Sequence, residues 1–458
     1  MRHRRRGLGL IAAIGALTVT GVIAVPAAAQ AGRTAPGTNP APGPTVQVST
    51  GKACAGQNAE VETAIDPATR ILYEEWIGCG GIGFARSTDG GKTFSTGYEL
   101  PGSAGGWDPA IVTGPHGRVY AAFMVFRHTR SYPVVDISAD HGRSFPLVRT
   151  LVAPHKNNWG DRDFIAVSRT GTIYVTWDYG PHNLTRKDFV CAKNGSCSFV
   201  AGDLNVVLQR SADNGRTWSK ITPISPGFPG SGADSAPVII EPGGRLAVLY
   251  QGYQILNRKT LKLGVAHSFF TSSADGGRRW SRPQRLGPAR LSMNTTEWWI
   301  DGSIGQDFAG DLYATWDTQS GGHDIAWLTW SADHGRTWSP LIRVSRHAFP
   351  AMRLVQVLGG RGRVAYIGLL TDGVQCRKAL CYAQYIRAFS PRRGWLTPLT
   401  SVSPVRGNSR VWPGDTLGMS LYPGGGAGTQ RVAISWGSAI GGRKASSQIR
   451  AAIVGRLP

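Results

Sequence analysis

One phrase occurs five times in this chain: "ARSTDGGKTFST", "DISADHGRSFPL", "QRSADNGRTWSK", "TSSADGGRRWSR" and "TWSADHGRTWSP". Its shared parts are a Ser, an Asp two positions on, a Gly two beyond that, and a Trp or Phe three further. The Asp residues, Asp89, Asp140, Asp213, Asp275 and Asp333, are 51, 73, 62 and 58 residues apart, so each copy belongs to a whole structural unit. A run of β-formers precedes each copy, such as "GRVYAAFMVF" or "GTIYVTWDYG", and a shorter run such as "DPAIVTG" comes before that. Four short strands per unit fit this spacing, and a radial array of four-stranded sheets is a β-propeller. The 61 Gly, 28 Pro and 17% charged residues suit short strands joined by turns.

The spacing has a physical reason. Asp and Ser side chains can accept hydrogen bonds from turn amides that no strand partner satisfies, while Gly supplies a positive φ. The closing aromatic then packs as a large apolar plug against the neighbouring sheet. Asp89, Asp140, Asp213, Asp275 and Asp333 therefore read as a folding device. The Thr of the phrase is Ser144 in one copy and Arg279 in another, so that position tolerates change.

With these residues in place, the phrase resembles the Asp-box, S-x-D-x-G-x-T-W, of sialidases and other BNR-repeat propellers. The resemblance spans nearly all of the chain beyond its N-terminal region, and it implies that each box is the turn between the third and fourth strands of a blade. Inner strands are expected at "AEVETAID", "WDPAIV", "GDRDFIAV", "ADSAPVII", "WWIDGSIG", "MRLVQVLG" and "GDTLGMSL", which makes seven blades. The sixth has only a decayed box, "SPRRGW". The last offers three strands, and "TVQVS" at 45–49 is expected to supply its outer one and close the ring. The expected class is thus all-β, a seven-bladed propeller closed by an N-terminal strand, with the six-bladed sialidase arrangement as the alternative.

Residues 1–31 read as an export signal: a basic start "MRHRRR", an apolar stretch, and a small-residue end "PAAAQA". Residues 32–44 are a Pro/Gly-rich tether, and 45–458 a single propeller domain. The formal charge is +22, and +18 without Arg2, Arg4, Arg5 and Arg6. Such a field attracts acidic glycans and other polyanions, while no Lys/Arg run outside the signal indicates dedicated nucleic-acid binding. The protein is expected to be extracellular and monomeric, with no membrane attachment after signal removal, and to meet a glycan or acidic polysaccharide.

In an antiparallel blade the one-to-two and three-to-four turns share a rim, and the two-to-three loops share the opposite rim with the blade-to-blade connections. Six cysteines fall on the second rim: Cys54 and Cys79, Cys191 and Cys197, Cys376 and Cys381. An even count in an exported chain indicates disulfides, and these three pairs are the expected ones. No Cys/His spacing indicates a zinc site.

Acidic residues recur where blades begin: Asp108, Asp161, Asp163, Asp234, Asp301 and Asp415, with Glu297 just ahead of blade 5. They are expected to ring the entrance of the central channel. Asp161 and Asp163 would lie on one strand face about 7 Å apart, a separation that suits inverting glycosidic chemistry. The alternatives are Asp residues that tie each strand to its neighbour, or a channel cation such as calcium. Asp161, Asp163, Asp234, Asp301 and Glu297 are the candidate acid/base groups.

Trp107, Trp159 and Trp299 could stack on sugars, Arg162, Arg353 and Arg410 could grip carboxylates, and Asp108 and Asp415 complete the expected binding ring. The F/Y-R-I-P motif of sialidases is absent, blade 1 reading "NAEVETAID" instead. A replacement cluster would combine the three Arg with Tyr250 or Tyr253 near Glu297. The leading expectation is a secreted, sialidase-like glycoside hydrolase without a cofactor, and its rival is a noncatalytic propeller that binds carbohydrate or protein.

Overall fold

The computed structural model describes residues 39–127, 130–152, 160–180, 189–191, 197–199, 204–225, 231–257, 262–289, 302–320, 323–346, 351–376, 379–403, 407–408, 412–426, 428–439 and 446–458. They belong to one compact unit, Thr34–Pro458. The signal segment therefore lies outside the described residues. Among those residues, no helix is long and apolar enough to cross a membrane.

The architecture is a seven-bladed β-propeller. Its inner strands are Ala59–Ile65, Gly106–Thr113, Gly160–Val167, Val238–Ile240, Gly302–Gln306, Ala351–Gly359 and Gly418–Leu421. Each heads an antiparallel sheet, and neighbouring inner strands touch in cyclic order from blade 1 to blade 7 and back. Strand alternation gives every blade two apolar faces, so each interface holds its own core. Phe84, Phe123 and Phe145 fill the space between blades 1 and 2, while Tyr366, Ile434 and Trp436 fill that between blades 6 and 7.

The N-terminal segment closes the ring as expected. Val46 and Gln47 pair with Ala451 and Arg450 on the strand Gln448–Leu457, and the Val48 amide donates to the Ile449 carbonyl at 2.8 Å. Pairing begins earlier than Thr45, because Ala41 and Pro42 also lie against Gly455 and Val454. The end of the Pro/Gly-rich stretch thus covers the otherwise bare edge of blade 7.

All five repeated phrases form the same turn. In the third copy, Ser211 Oγ donates to Asp213 Oδ1 at 2.8 Å and accepts the Gly215 amide at 2.8 Å. The Thr217 amide and hydroxyl donate to the two Asp213 oxygens at 2.9 and 2.6 Å. Ser144 reproduces the hydroxyl contact at 2.6 Å, whereas Arg279 contributes to Asp275 its amide at 3.0 Å, beside the Arg278 amide at 3.0 Å and the Ser273 hydroxyl at 2.8 Å. These donors hold the carboxyl of Asp89 down at about 2, the Thr93 hydroxyl contributing most.

The shared Gly of each turn, two residues after the Asp, has a positive φ and faces the preceding blade: a Cβ on Gly142 would come within 2.9 Å of the Phe84 ring. The aromatic plug follows the same direction. Phe145 of blade 2 meets Phe84 of blade 1 at 5.0 Å, and Trp338 of blade 5 meets Phe270 of blade 4 at 5.1 Å. In blade 6, where the box has decayed, Trp395 still packs on Phe389 at 5.2 Å and under Arg387 at 4.1 Å.

The two rims separate as expected. Box residues meet the one-to-two turn of the preceding blade, His141 beside Asp66 and His334 beside Glu241. Cys54 and Cys79 form a disulfide with Cα atoms 4.0 Å apart, tying the entry to blade 1 to its two-to-three turn. Cys191 and Cys197 face each other across a short ladder, and Cys381 is disulfide-bonded. The side chains of Cys191, Cys197 and Cys376 lie outside the described residues.

Ser211→Ala leaves the buried Gly215 amide without its acceptor and is expected to lower unfolding free energy by about 1–3 kcal/mol in urea titrations. Val48→Ala, at the closing edge, is expected to cost about 2 kcal/mol. Unchanged urea midpoints would remove the turn and the closing strand from the list of stabilising features.

Candidate functional site

The inner strands bend at the same place in successive blades. Glu60, Asp108, Arg162 and Ser235 have φ of 45°, 52°, 50° and 49°, and register shifts surround the first three. Such bulges interrupt alternation and re-aim side chains at the rim of a barrel or propeller. Here they bring side chains from different blades to one mouth of the central channel. A cavity of about 470 Å3 runs below it, lined by Glu62, Asp108, Arg162, Asp163, Ile304 and Gln356 among others.

Arg162 is the organising cation. Its guanidinium contacts Asp415 at 2.5 Å and Asp108 at 3.7 Å, and its backbone amide donates to Asp108 and Asp161, both at 3.2 Å. The carboxyls also act on one another: Asp415 raises Glu60, Asp108 raises Asp161, and Asp234 raises Asp178. Neighbouring carboxylates repel, so each of these pairs resists full ionisation.

The environments push these groups apart. Burial, then the neighbouring Asp108 carboxyl, holds Asp161 well above the usual carboxylate range. Burial, then Asp415, does the same to Glu60, and burial with Asp234 does it to Asp178. Burial also opposes ionisation of Asp415, yet Arg162, and after it Glu60, outweigh it and keep Asp415 below its ordinary value. One mouth thus holds carboxyls driven up and a carboxyl driven down around a single guanidinium.

Asp163 lines the cavity below the mouth. The bulge at Arg162 breaks the two-residue alternation expected to set Asp161 and Asp163 on one face. Asp163 is buried, and burial followed by Asp108 raises it. It neighbours Glu75, which sits with Asp136 and Glu62 in a second acidic group. Burial holds Glu74 and Asp136 up at about 8. Among the described residues, no three His, Cys, Asp or Glu side chains gather as metal ligands.

An aromatic step flanks the mouth. Trp107 is 42% exposed, with Trp412 at 5.9 Å and Phe126 at 6.0 Å. Tyr250 does not present itself as a nucleophile: it is buried against Phe269 at 5.5 Å, and burial raises its hydroxyl pKa.

Of the expected ring, Asp108, Asp161, Arg162, Asp234 and Asp415 come together beside Trp107. Glu297, Asp301, Trp159, Trp299 and Arg410 lie outside the described residues, as does the side chain of Arg353. Two members escaped sequence reasoning, Glu60 and Asp178. Glu60 occupies the bulge position of blade 1 that Asp108 and Arg162 occupy in blades 2 and 3, so aligning the inner strands would have found it. Asp178 is the cross-strand partner of Asp161 in "TWDYG".

No protein-family model matches this chain, and no curated protein does. Solved structures share its fold. An ulvan lyase, described as a polysaccharide lyase of a new family, is 14% identical, with a TM-score of 0.55 over 88% of this chain and 96% of its own. The α-L-arabinanase of Penicillium chrysogenum, complexed with arabinobiose, is 12% identical with a TM-score of 0.50, over 78% and 100%. A Hadza microbial sialidase is 17% identical with a TM-score of 0.48, over 84% and 73%. The class defined is a seven-bladed β-propeller.

The raised carboxyls make stability depend on pH. Glu74 and Asp136 stay protonated in the folded chain up to about 8 but ionise near 4 when unfolded, so folding binds extra protons between these limits. Their stabilisation is full below about 4 and declines toward 8. Asp89 works in the opposite sense, losing its contribution as pH falls from about 4 to about 2. Melting temperature is expected to peak near about pH 4–5 and to fall toward 8, with Glu74→Gln and Asp136→Asn flattening the decline. A flat wild-type profile over that window would contradict the assignment.

Proposed function

We propose that this chain is an exported glycoside hydrolase that works at the acidic mouth of its central channel. The observation that carries the reading is the split between Asp161, which burial and Asp108 hold well above the usual carboxylate range, and Asp415, which its contact with Arg162 holds below it. Two carboxyls whose environments drive their pKa values apart are the usual signature of an acid and its partner base or nucleophile. Asp161 donates the proton to the leaving oxygen, and Asp415 stabilises or attacks the sugar cation that develops. Trp107 supplies an exposed aromatic face for a sugar ring.

The substrate is a neutral glycan. Arg162 already faces Asp415 and Asp108, so a sugar carboxylate entering there would meet carboxyls before a spare cation. The repeat supports kinship with sialidase-like propellers, while the mouth favours neutral sugars of the kind that the Penicillium arabinanase binds. The export signal and the Cys54–Cys79 disulfide support an extracellular setting.

The test is incubation with neutral, uronic and sialylated glycans, followed by mass analysis of products. Release from neutral members alone is expected, with activity falling on the alkaline side as Asp161 ionises and on the acid side as Asp415 protonates. Asp161→Asn is expected to lower kcat/KM by about 10²–10⁴-fold and to erase the alkaline limb. Binding without turnover would replace this reading with a noncatalytic carbohydrate-binding propeller.

A further inference from the structure

The five turn phrases share one feature that the turn does not need. The residue after the shared Gly is always a cation: Lys92, Arg143, Arg216, Arg278 and Arg336. At this position the turn uses the backbone, the amides of Lys92, Arg143 and Arg278 donating to the box Asp at 3.1, 3.0 and 3.0 Å. The side chain is thereby turned out to solvent, and all five are exposed. Any soluble side chain would satisfy the fold there. Only Arg143 and Arg216 reach back, to the Asp140 and Asp213 carbonyls at 3.4 and 3.3 Å.

Little on this rim offsets these charges by direct pairing. The box carboxylates spend their oxygens on turn donors, as Asp213 does with the Thr217 amide and hydroxyl. Asp66 and Glu241 are buried beside His141 and His334. Further exposed cations stand in the adjoining one-to-two turns, among them Arg70, Arg169 and Arg361. The result is a circle of positive charge recurring blade by blade, on the face opposite the acidic mouth.

We propose that this face is a docking surface for a linear anionic glycan polymer, carrying sulfate or phosphodiester groups, that spans several blades at once. A single exposed cation contributes little in water, but contributions add as a polyanion releases counterions at each neutralised site. A nucleic acid fits less well, because Phe308 is the one strongly exposed large apolar side chain that the described residues offer a base on this rim. Docked this way, the propeller would lie on an anionic matrix with its mouth turned outward. The inference stands independently of catalysis.

The experiment measures binding of the full chain to dextran sulfate, to poly(glycerol phosphate) and to duplex DNA of matched charge, from about 0.05 to 0.5 M NaCl. Lys92→Gln, Arg278→Gln and Arg336→Gln together are expected to weaken polymer binding at least about tenfold and to flatten its salt dependence. A control triple with the same charge loss on the cysteine rim, Lys52→Gln, Arg127→Gln and Arg130→Gln, is expected to stay within about twofold. The ratio of the two polymer affinities identifies sulfate or phosphodiester as the preferred group.

Acetylation footprinting of the unaltered protein provides a readout that no folding defect can mimic. Lys92 is expected to be protected by the polymer while Lys52 stays reactive. Equal weakening by both triples, loss of wild-type binding at about 0.15 M salt, tighter binding to DNA, or an unprotected Lys92 would each overturn the proposal.

Discussion

A blade that is apolar on both faces cannot stand alone, and everything else in this structure follows from that constraint. Each sheet must be covered on two sides, which the described blades achieve by touching their neighbours in a closed cycle. The aromatic plug of each turn phrase leans on the preceding blade, so the phrase is a seam between units as much as a turn within one. The seam at blades 7 and 1 needs a different device. There the first described residues lend two short strands to the last sheet, and Val48 and Cys54 pack beside Ile449.

Closure of the ring also creates the acidic mouth. Seven inner strands converging on one axis bring their ends together, and the repeated bulge turns Glu60, Asp108 and Arg162 into the same small volume. Carboxyls crowded in this way cannot all ionise. Burial and Asp108 hold Asp161 up while Arg162 holds Asp415 down, which leaves groups of unlike proton affinity side by side. The arrangement is costly for folding, because buried carboxyls near one another resist ionisation.

The fold was largely legible because its signals are local. A Ser, an Asp and a Gly at fixed offsets determine a turn wherever they occur, and β-rich runs between turns determine the strands. The edge of blade 7 was legible for the same reason, since "TVQVS" is a strand without a sheet and the last blade is a sheet without an outer strand. The site was legible only in outline. Asp108, Asp161, Asp234 and Asp415 stood out as acids at blade entries, whereas Glu60 hid within a strand and Asp178 at the end of another. The error over Asp163 came from assuming a regular period of two through a segment that bulges.

The amino-acid order by itself determined the number of blades, the chemistry of their turns and the partner that closes the ring, because each depends on contacts a few residues long or on edges that must be covered. Only the tertiary structure decided which carboxyl keeps its proton and which is ionised. That outcome depends on the field of groups far apart in the chain, Arg162 and Asp415 being separated by 253 residues. Electrostatic energy depends on distance and burial in space, and neither can be read from position along the sequence.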